Sequence, residues 1–353
     1  MGSKRRTVPT NKQRQSLCDK IVVTVITVKE DNYSTKEIDM PVYKLKPTCK
    51  DYTWGGTKLR EEYGINDPGD RVAEAWVLSC HPDGPSVITS GRYAGETLID
   101  YISMRGKRVL GTNCDNYDDF PILTKLIDAK EDLSVQVHPN NTFAITNEGQ
   151  LGKTEMWYVV DAEEGSKIYY GVSRTVDEAE IRRRIKDNTI TDILMAVPAK
   201  KGDVFYIPAG TLHAICKGMI IAEVQQNSNV TYRVYDYDRI DKTTGQKREL
   251  HVDKALKVTR MYPNYSNYDF GNHLVSCKYF VVDMIEHETL DFASERSFVS
   301  LVVLGGTGRI EFKNDDGAND FLTLSKGESF FIPANSGRFM IKGDNLRILR
   351  TQI

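Results

Sequence analysis

The chain has 353 residues, enough for a large core. Its 47 lysines and arginines against 49 aspartates and glutamates leave a formal charge of -2, which gives no electrostatic case for nucleic acid or an anionic membrane. Six scattered cysteines without a C-x-x-C pair exclude a disulfide framework or a zinc ribbon, and point to a reducing compartment, the cytoplasm.

Residues 1–39 read as an extension of unknown role. The apolar run "IVVTVITV", Ile21 to Val28, follows basic residues but is far shorter than the ~20 residues of a membrane helix. "KEDN" follows it where a leader would carry small residues, and its β-branched composition predicts a strand. From Met40 onward, short β-rich runs such as "SVQVHP", "EMWYVV", "SKIYYG" and "DVFYIP" alternate with glycine, proline and asparagine turns. That pattern predicts a mainly β fold of barrels or sandwiches. Helical spacing interrupts it at about 96–110 and 175–196; Thr175 is the expected N-cap of the second, with Glu178 completing a capping box.

An internal echo sets the architecture. "KKGDVFYIPAGTLHAI" from Lys200 is matched by "SKGESFFIPANSGRFMI" from Ser325, with glycine, acid, aromatic, isoleucine, proline and alanine in register. A repeated strand–turn–strand unit predicts two related β-barrels in tandem, 40–260 with the helical insertion and 261–353. In that register His213 aligns with Arg338. The imidazole is therefore peculiar to the first copy, and the second is expected to be metal-free.

A histidine past a turn is most often a core or rim residue, so His213 needs partners to mean more. "LSVQVHPNN" supplies Gln136 and His138, two apart and hence on one face of a strand. "GKTEMWYVV" supplies Glu155. Two imidazoles, a carboxylate and an amide oxygen without thiolate suit zinc, though manganese, iron, cobalt or nickel also accept such a set. Taken singly, each residue has an ordinary explanation: Gln136 as a strand-end hydrogen-bonder, His138 as a turn residue before proline, Glu155 as a surface partner of a lysine. His81, His251, His273 and His287 lack comparable neighbourhoods and read as structural or exposed.

With these motifs assembled, the chain resembles the type I mannose-6-phosphate isomerases, in their short bacterial form. "KDYTWGG", "AEAWVLSCHPDGPS", "FPILTKLIDAKEDLSVQVHP", "GKTEMWYVV", "GDVFYIPAGTLHAI" and "TYRVYDYDR" carry the likeness over roughly 42–260. The resemblance implies a jelly-roll cupin fold, one zinc ion per chain, and interconversion of mannose 6-phosphate and fructose 6-phosphate. It places the metal ligands on Gln136, His138, Glu155 and His213. It also places active-site positions on Lys125, Ser134, Lys153, Glu223 and Arg233. Such a reaction needs an electrophile, a base and a cationic hold on phosphate. On that basis Glu223 is the base or part of its relay, and Arg233 stabilises an enediolate or orients substrate. Lys125 is an acid/base or a phosphate ligand, and Ser134 and Lys153 bind phosphate or sugar. The long N-terminal extension departs from the family, and the helical insertion is much shorter than in its eukaryotic members. Competing readings are an iron oxygenase on the same fold and a non-catalytic sugar-phosphate-binding bicupin. The oligomeric state is left open by the sequence.

Overall fold

The computed structural model describes residues 42–241, 244–264, 266–314 and 316–353. The strand expected at Ile21 to Val28 lies outside them. The described chain is mainly β, and its paired strands run antiparallel. No helix among the described residues is long and apolar enough to cross a membrane.

The first half builds two sheets that face one another. One has the strand order Val204–Ile207, Glu155–Ala162, Met219–Gln226, Ile122–Ala129, Glu74–Leu78, Thr48–Lys50. The other has the order Tyr232–Tyr235, Val135–Val137, His213–Ile215, Lys167–Val172, Leu194–Pro198. Trp157, Ile127 and Ile221 of the first sheet share one buried cluster with Ile168 and Ile215 of the second. This is the jelly-roll arrangement of two packed antiparallel layers.

The second half centres on the long strands Val299–Lys313 and Gly337–Gln352. Its interior is apolar: Val299, Leu301, Ile310, Phe330, Ile332, Phe339 and Ile341 form one buried cluster. The sheet is completed by two strands from the early part of the described residues. Tyr43–Lys46 pairs with Ser329–Ile332, and Val87–Ile88 pairs with Tyr43–Lys46. A further core holding Tyr43, Leu126, Met156, Phe298 and Phe331 joins the two halves.

The sequence echo has a backbone counterpart. Gly202 and Gly327 precede the matched strands with φ of 91° and 90°, and Gly210 and Asn335 follow them with φ of 88° and 63°. Phe205 and Phe330 both point inward, as do Ile207 and Ile332. The register then slips by one residue through the turn. His213 is buried, whereas Arg338 is exposed and Phe339 takes an inward position. The alignment of His213 with Arg338 is corrected accordingly. Strand side chains alternate, so a one-residue slip exchanges the faces.

The helical expectations need two further corrections. Leu98–Arg105, capped by Thr97, falls within 96–110. The second helix is shorter than 175–196: it spans Glu178–Lys186, and Leu194–Pro198 is a strand. Its N-cap is Asp177, whose carboxylate accepts from the Glu180 N–H at 2.7 Å. Thr175 cannot serve because the chain is still extended there; the Val176 N–H donates to the Met261 carbonyl at 2.9 Å. Helices Asn141–Glu148 and Val252–Val258 were not anticipated.

Candidate active site

Strand pairing assembles the site from distant segments. Gln136 stands directly opposite His213 on one neighbouring strand and opposite Arg233 on the other. Cross-strand partners share a face, so all three belong to one side of the five-stranded sheet. His138 follows Gln136 by two residues and is buried. Glu155, fully buried, opens a central strand of the facing sheet.

Backbone carbonyls orient both imidazoles. His138 Nδ1 lies 2.8 Å from the Val230 carbonyl oxygen, and His213 Nδ1 lies 2.8 Å from that of Thr211. A carbonyl can only accept, so each ring donates through Nδ1 and leaves Nε2 facing away from that carbonyl. Those Nε2 atoms converge on the carboxylate. His213 Nε2 is 3.2 Å from Glu155 Oε1, and His138 Nε2 is 3.6 Å from Oε2. Candidate ligand atoms of the three residues all lie within 4.8 Å of one another.

This cluster fits a metal ion on an observation independent of spacing. Both Glu155 oxygens and His213 Nε2 are buried without a hydrogen-bond partner. Orphaned acceptors in a protein interior are costly, and a cation supplies what they lack. The Lys153 ammonium reaches the edge of the group, 2.8 Å from Glu155 Oε2 and 3.2 Å from His138 Nε2, but is not aligned as a hydrogen bond to the carboxylate. Burial opposes charge on Glu155, yet Lys153 and the two imidazoles hold its carboxyl well below the usual range. Burial, reinforced by Lys153, holds His138 well below its usual value. An ionised carboxylate and a neutral imidazole are the states a metal requires.

A cavity of about 310 Å³ adjoins the cluster. Lys125, Ser134, Gln136, Lys153, Glu223 and Arg233 all line it, as do Tyr52, Glu74 and Arg248. Trp76, Lys125, Glu223 and Trp157 form a single row across four strands of the six-stranded sheet. Lys125 Nζ lies 3.2 Å from Glu223 Oε1 and 3.4 Å from Glu74 Oε2. The Trp157 indole N–H donates to Glu223 Oε2 at 3.2 Å, and that of Trp76 donates to Glu74 Oε2 at 2.8 Å. Burial alone would discharge Lys125; Glu223 and Glu74 outweigh it and raise its pKa above the usual lysine value. At neutral pH Lys125 therefore carries a proton to give, and has no free pair with which to take one. Arg233 Nε donates to Ser134 Oγ at 3.3 Å, and its Nη1 donates to the Glu249 carbonyl at 3.0 Å.

The sequence reading missed Glu74 and Arg248. An acid between alanines in "AEAWVLSC" was a signal for Glu74, but its value depends on a cross-strand lysine. Arg248, in "QKREL", reads as a surface charge. His251, read as structural or exposed, accepts the Arg233 backbone N–H at 3.3 Å and so braces the cavity wall.

Comparison with known proteins places the chain in a family. The family model described as phosphomannose isomerase type I, catalytic domain, matches residues 42–169, and that of the mannose-6-phosphate isomerase cupin domain matches 271–353. A mannose-6-phosphate isomerase of Streptococcus mutans is 37% identical over 301 residues, covering 82% of this chain and 92% of its own length. The crystal structure of mannose 6-phosphate isomerase from Bacillus subtilis superposes with a TM-score of 0.78 at 37% identity, over 89% of this chain and all of that one. A mannose 6-phosphate isomerase crystallised with zinc and yttrium shares the fold, with a TM-score of 0.68 at 18% identity, over 88% of this chain and 99% of that one. With coverage this complete and identity this high, the chain belongs to the type I phosphomannose isomerase family of mannose-6-phosphate isomerases.

Proposed function

We propose that the chain is a zinc-dependent aldose–ketose isomerase that interconverts mannose 6-phosphate and fructose 6-phosphate through an enediolate. The observation that carries this reading is the convergence of orphaned, buried Glu155 and His213 atoms with His138 beside a cavity rich in cations. Gln136, His138, Glu155 and His213 would hold one ion per chain, in the barrel of 40–260. The barrel of 261–353 would hold none. A donor set of nitrogen and oxygen fits zinc, the metal named for the related structure. When bound, the ion supplies Lewis acidity toward the sugar's carbonyl oxygen.

The chain's own residues divide the remaining work. Isomerisation removes a proton from C2 of the aldose and returns it to C1, while O1 gains a proton and O2 loses one. Glu223 is the base: its Oε1 has no hydrogen-bond partner, and Trp157 fixes the other oxygen. Lys125, held charged by two carboxylates, is the proton donor beside it. Lys153 and Ser134 bind the sugar, with Lys153 at the metal end because its ammonium touches Glu155. Arg233 orients the substrate over Ser134.

A coupled assay reporting fructose 6-phosphate from mannose 6-phosphate, before and after chelation and after zinc is restored, tests the reading. Turnover that survives complete metal removal, or its absence from fully loaded protein, would refute it.

A further inference from the structure

The two imidazoles of the cluster are oriented in different ways. His213 Nδ1 meets the carbonyl of Thr211, two residues before it in the same turn. His138 Nδ1 meets the carbonyl of Val230, 92 residues further along the chain. The aim of His138 therefore depends on whatever holds Val230 in place.

Val230 lies in the connection between the strands Met219–Gln226 and Tyr232–Tyr235. Two buried glutamines at the end of the first strand secure that connection. Gln225 Nε2 donates to the carbonyl oxygen of Gln226 at 2.9 Å and to that of Ser228 at 2.8 Å. A carbonyl can only accept, so both amide hydrogens are spent and the orientation of the amide is fixed. Ser228 Oγ in turn accepts the Val230 N–H at 3.3 Å. Gln226 ties the same strand end to both ligand-bearing segments. Its Oε1 accepts the N–H of Thr154, the residue before Glu155, at 3.0 Å. Its Nε2 donates at 2.8 Å to Oδ1 of Asn141, three residues past His138, and that oxygen also accepts the Gly152 N–H at 3.0 Å. Gln225 stands directly opposite Glu155 on the neighbouring strand, and cross-strand partners share a face.

We propose that Gln225 is a positioning residue for the metal site: it sets the 227–231 connection so that the Val230 carbonyl aims His138 Nε2 at Glu155 before any ion binds. The proposal rests on the metal-dependent reading above and adds the residue that prepares one of the ligands. A ring already held in the binding geometry gives up less freedom when it takes an ion, so the partner behind a ligand contributes to affinity without touching the metal. The chain of contacts is specific to one ring. It runs from the Gln225 amide through Ser228 and Val230 to His138, and His213 stands outside it.

The test uses the full chain and Gln225→Met, which keeps the length of the side chain and removes both donors. Ser228→Ala is the milder companion: it releases the Val230 N–H and leaves the Gln225 amide bonded. In metal-free protein, nuclear magnetic resonance follows the ring Nδ1 protons of His138 and His213. Gln225→Met should shift or broaden the His138 signal and leave that of His213 in place. Its zinc affinity, read by competition with a chelating indicator, should weaken roughly ten- to a hundredfold. Ser228→Ala should move the His138 signal in the same direction by less, and it decides alone if Gln225→Met does not fold. An unmoved His138 signal, an equal disturbance of both rings, or wild-type zinc affinity in Gln225→Met would overturn the proposal. If the wild-type chain binds no divalent ion while the His138 signal still answers to Gln225→Met, the metal reading falls and the aiming of the ring stands.

Discussion

His213 and Glu223 both flank Trp157, one by ring contact at 5.4 Å and one by a hydrogen bond, yet their loss should have different consequences. His213→Ala removes a lone pair from the ligand cluster while Pro208 and Gly210 still shape the turn. Bound zinc, read by elemental analysis, and turnover should fall together, with the far-ultraviolet circular dichroism unchanged. Glu223→Gln keeps the shape and an oxygen for the Trp157 N–H, but removes the proposed base. Metal content should stay at the wild-type level while kcat drops roughly a hundred- to ten-thousandfold. A Glu223→Gln protein that loses its metal would transfer that residue to the ligand set. The proposed ligand pair on one strand, Gln136 and His138, was legible in the sequence, because i and i+2 in a strand share a face and Q-x-H needs no tertiary knowledge. Glu74 and Arg248 were not. What matters about each is a partner far off in the chain: Lys125 across a sheet for Glu74, Asp236 beyond a loop for Arg248.

The two strand–turn–strand units show how far a repeat can be read. Their glycines and asparagine recur because the backbone needs positive φ at the same points, and that requirement leaves a mark in sequence. Which face each later residue takes depends on the length of the turn as folded, so the slip that turns Arg338 outward leaves no such mark. The glycines also allow a direct comparison. At Gly202, with φ 91°, an added Cβ meets nothing within 4 Å. At Gly327, with φ 90°, it would overlap the Tyr63 carbonyl oxygen. Gly202→Ala should therefore cost only the left-handed penalty of about 1–2 kcal/mol. Gly327→Ala should cost clearly more, since the 58–63 segment must also shift. Urea unfolding of the two variants checks this, and equal losses would mean that the Tyr63 contact relaxes freely.

At the scale of the whole molecule, the shared core should make the two halves one cooperative unit. Tyr43 and Leu45 come from the start of the described chain, pair with Phe331 and Ser329, and pack in the cluster that also holds Met156 and Phe298. No local pattern announces such a pairing, because strands some 285 residues apart meet only once the fold has closed. One consequence is testable without a substrate. Zinc binds only the first barrel in the proposed reading, but it should raise the melting temperature of the entire chain in a single transition, as ligand linkage requires. Two calorimetric transitions, with only one shifted by zinc, would show the halves to be uncoupled.

The same cooperativity sets the response to alkali. Burial, assisted by Asp67, Asp115 and Asp132 respectively, pushes the thiols of Cys49, Cys114 and Cys216 from 9.0 up to about 12. Burial likewise raises Tyr52, with Glu74 next, and Tyr170, with Tyr268 next, from 10.0 to about 12. Between these values the folded chain keeps protons that the unfolded chain has released. The sign follows from linkage: stability falls with pH wherever the folded state binds more protons. The contribution is fully present below pH 9 and is lost as pH climbs toward 12. The urea midpoint should therefore hold steady from pH 7 to about 9 with respect to these groups and then decline, steepening once the tyrosines join above 10. Cys216→Ser tests the origin of the effect. A serine hydroxyl does not titrate in this range, so the decline should become shallower by one proton's share. An unchanged slope in that variant would assign the alkaline loss to other groups.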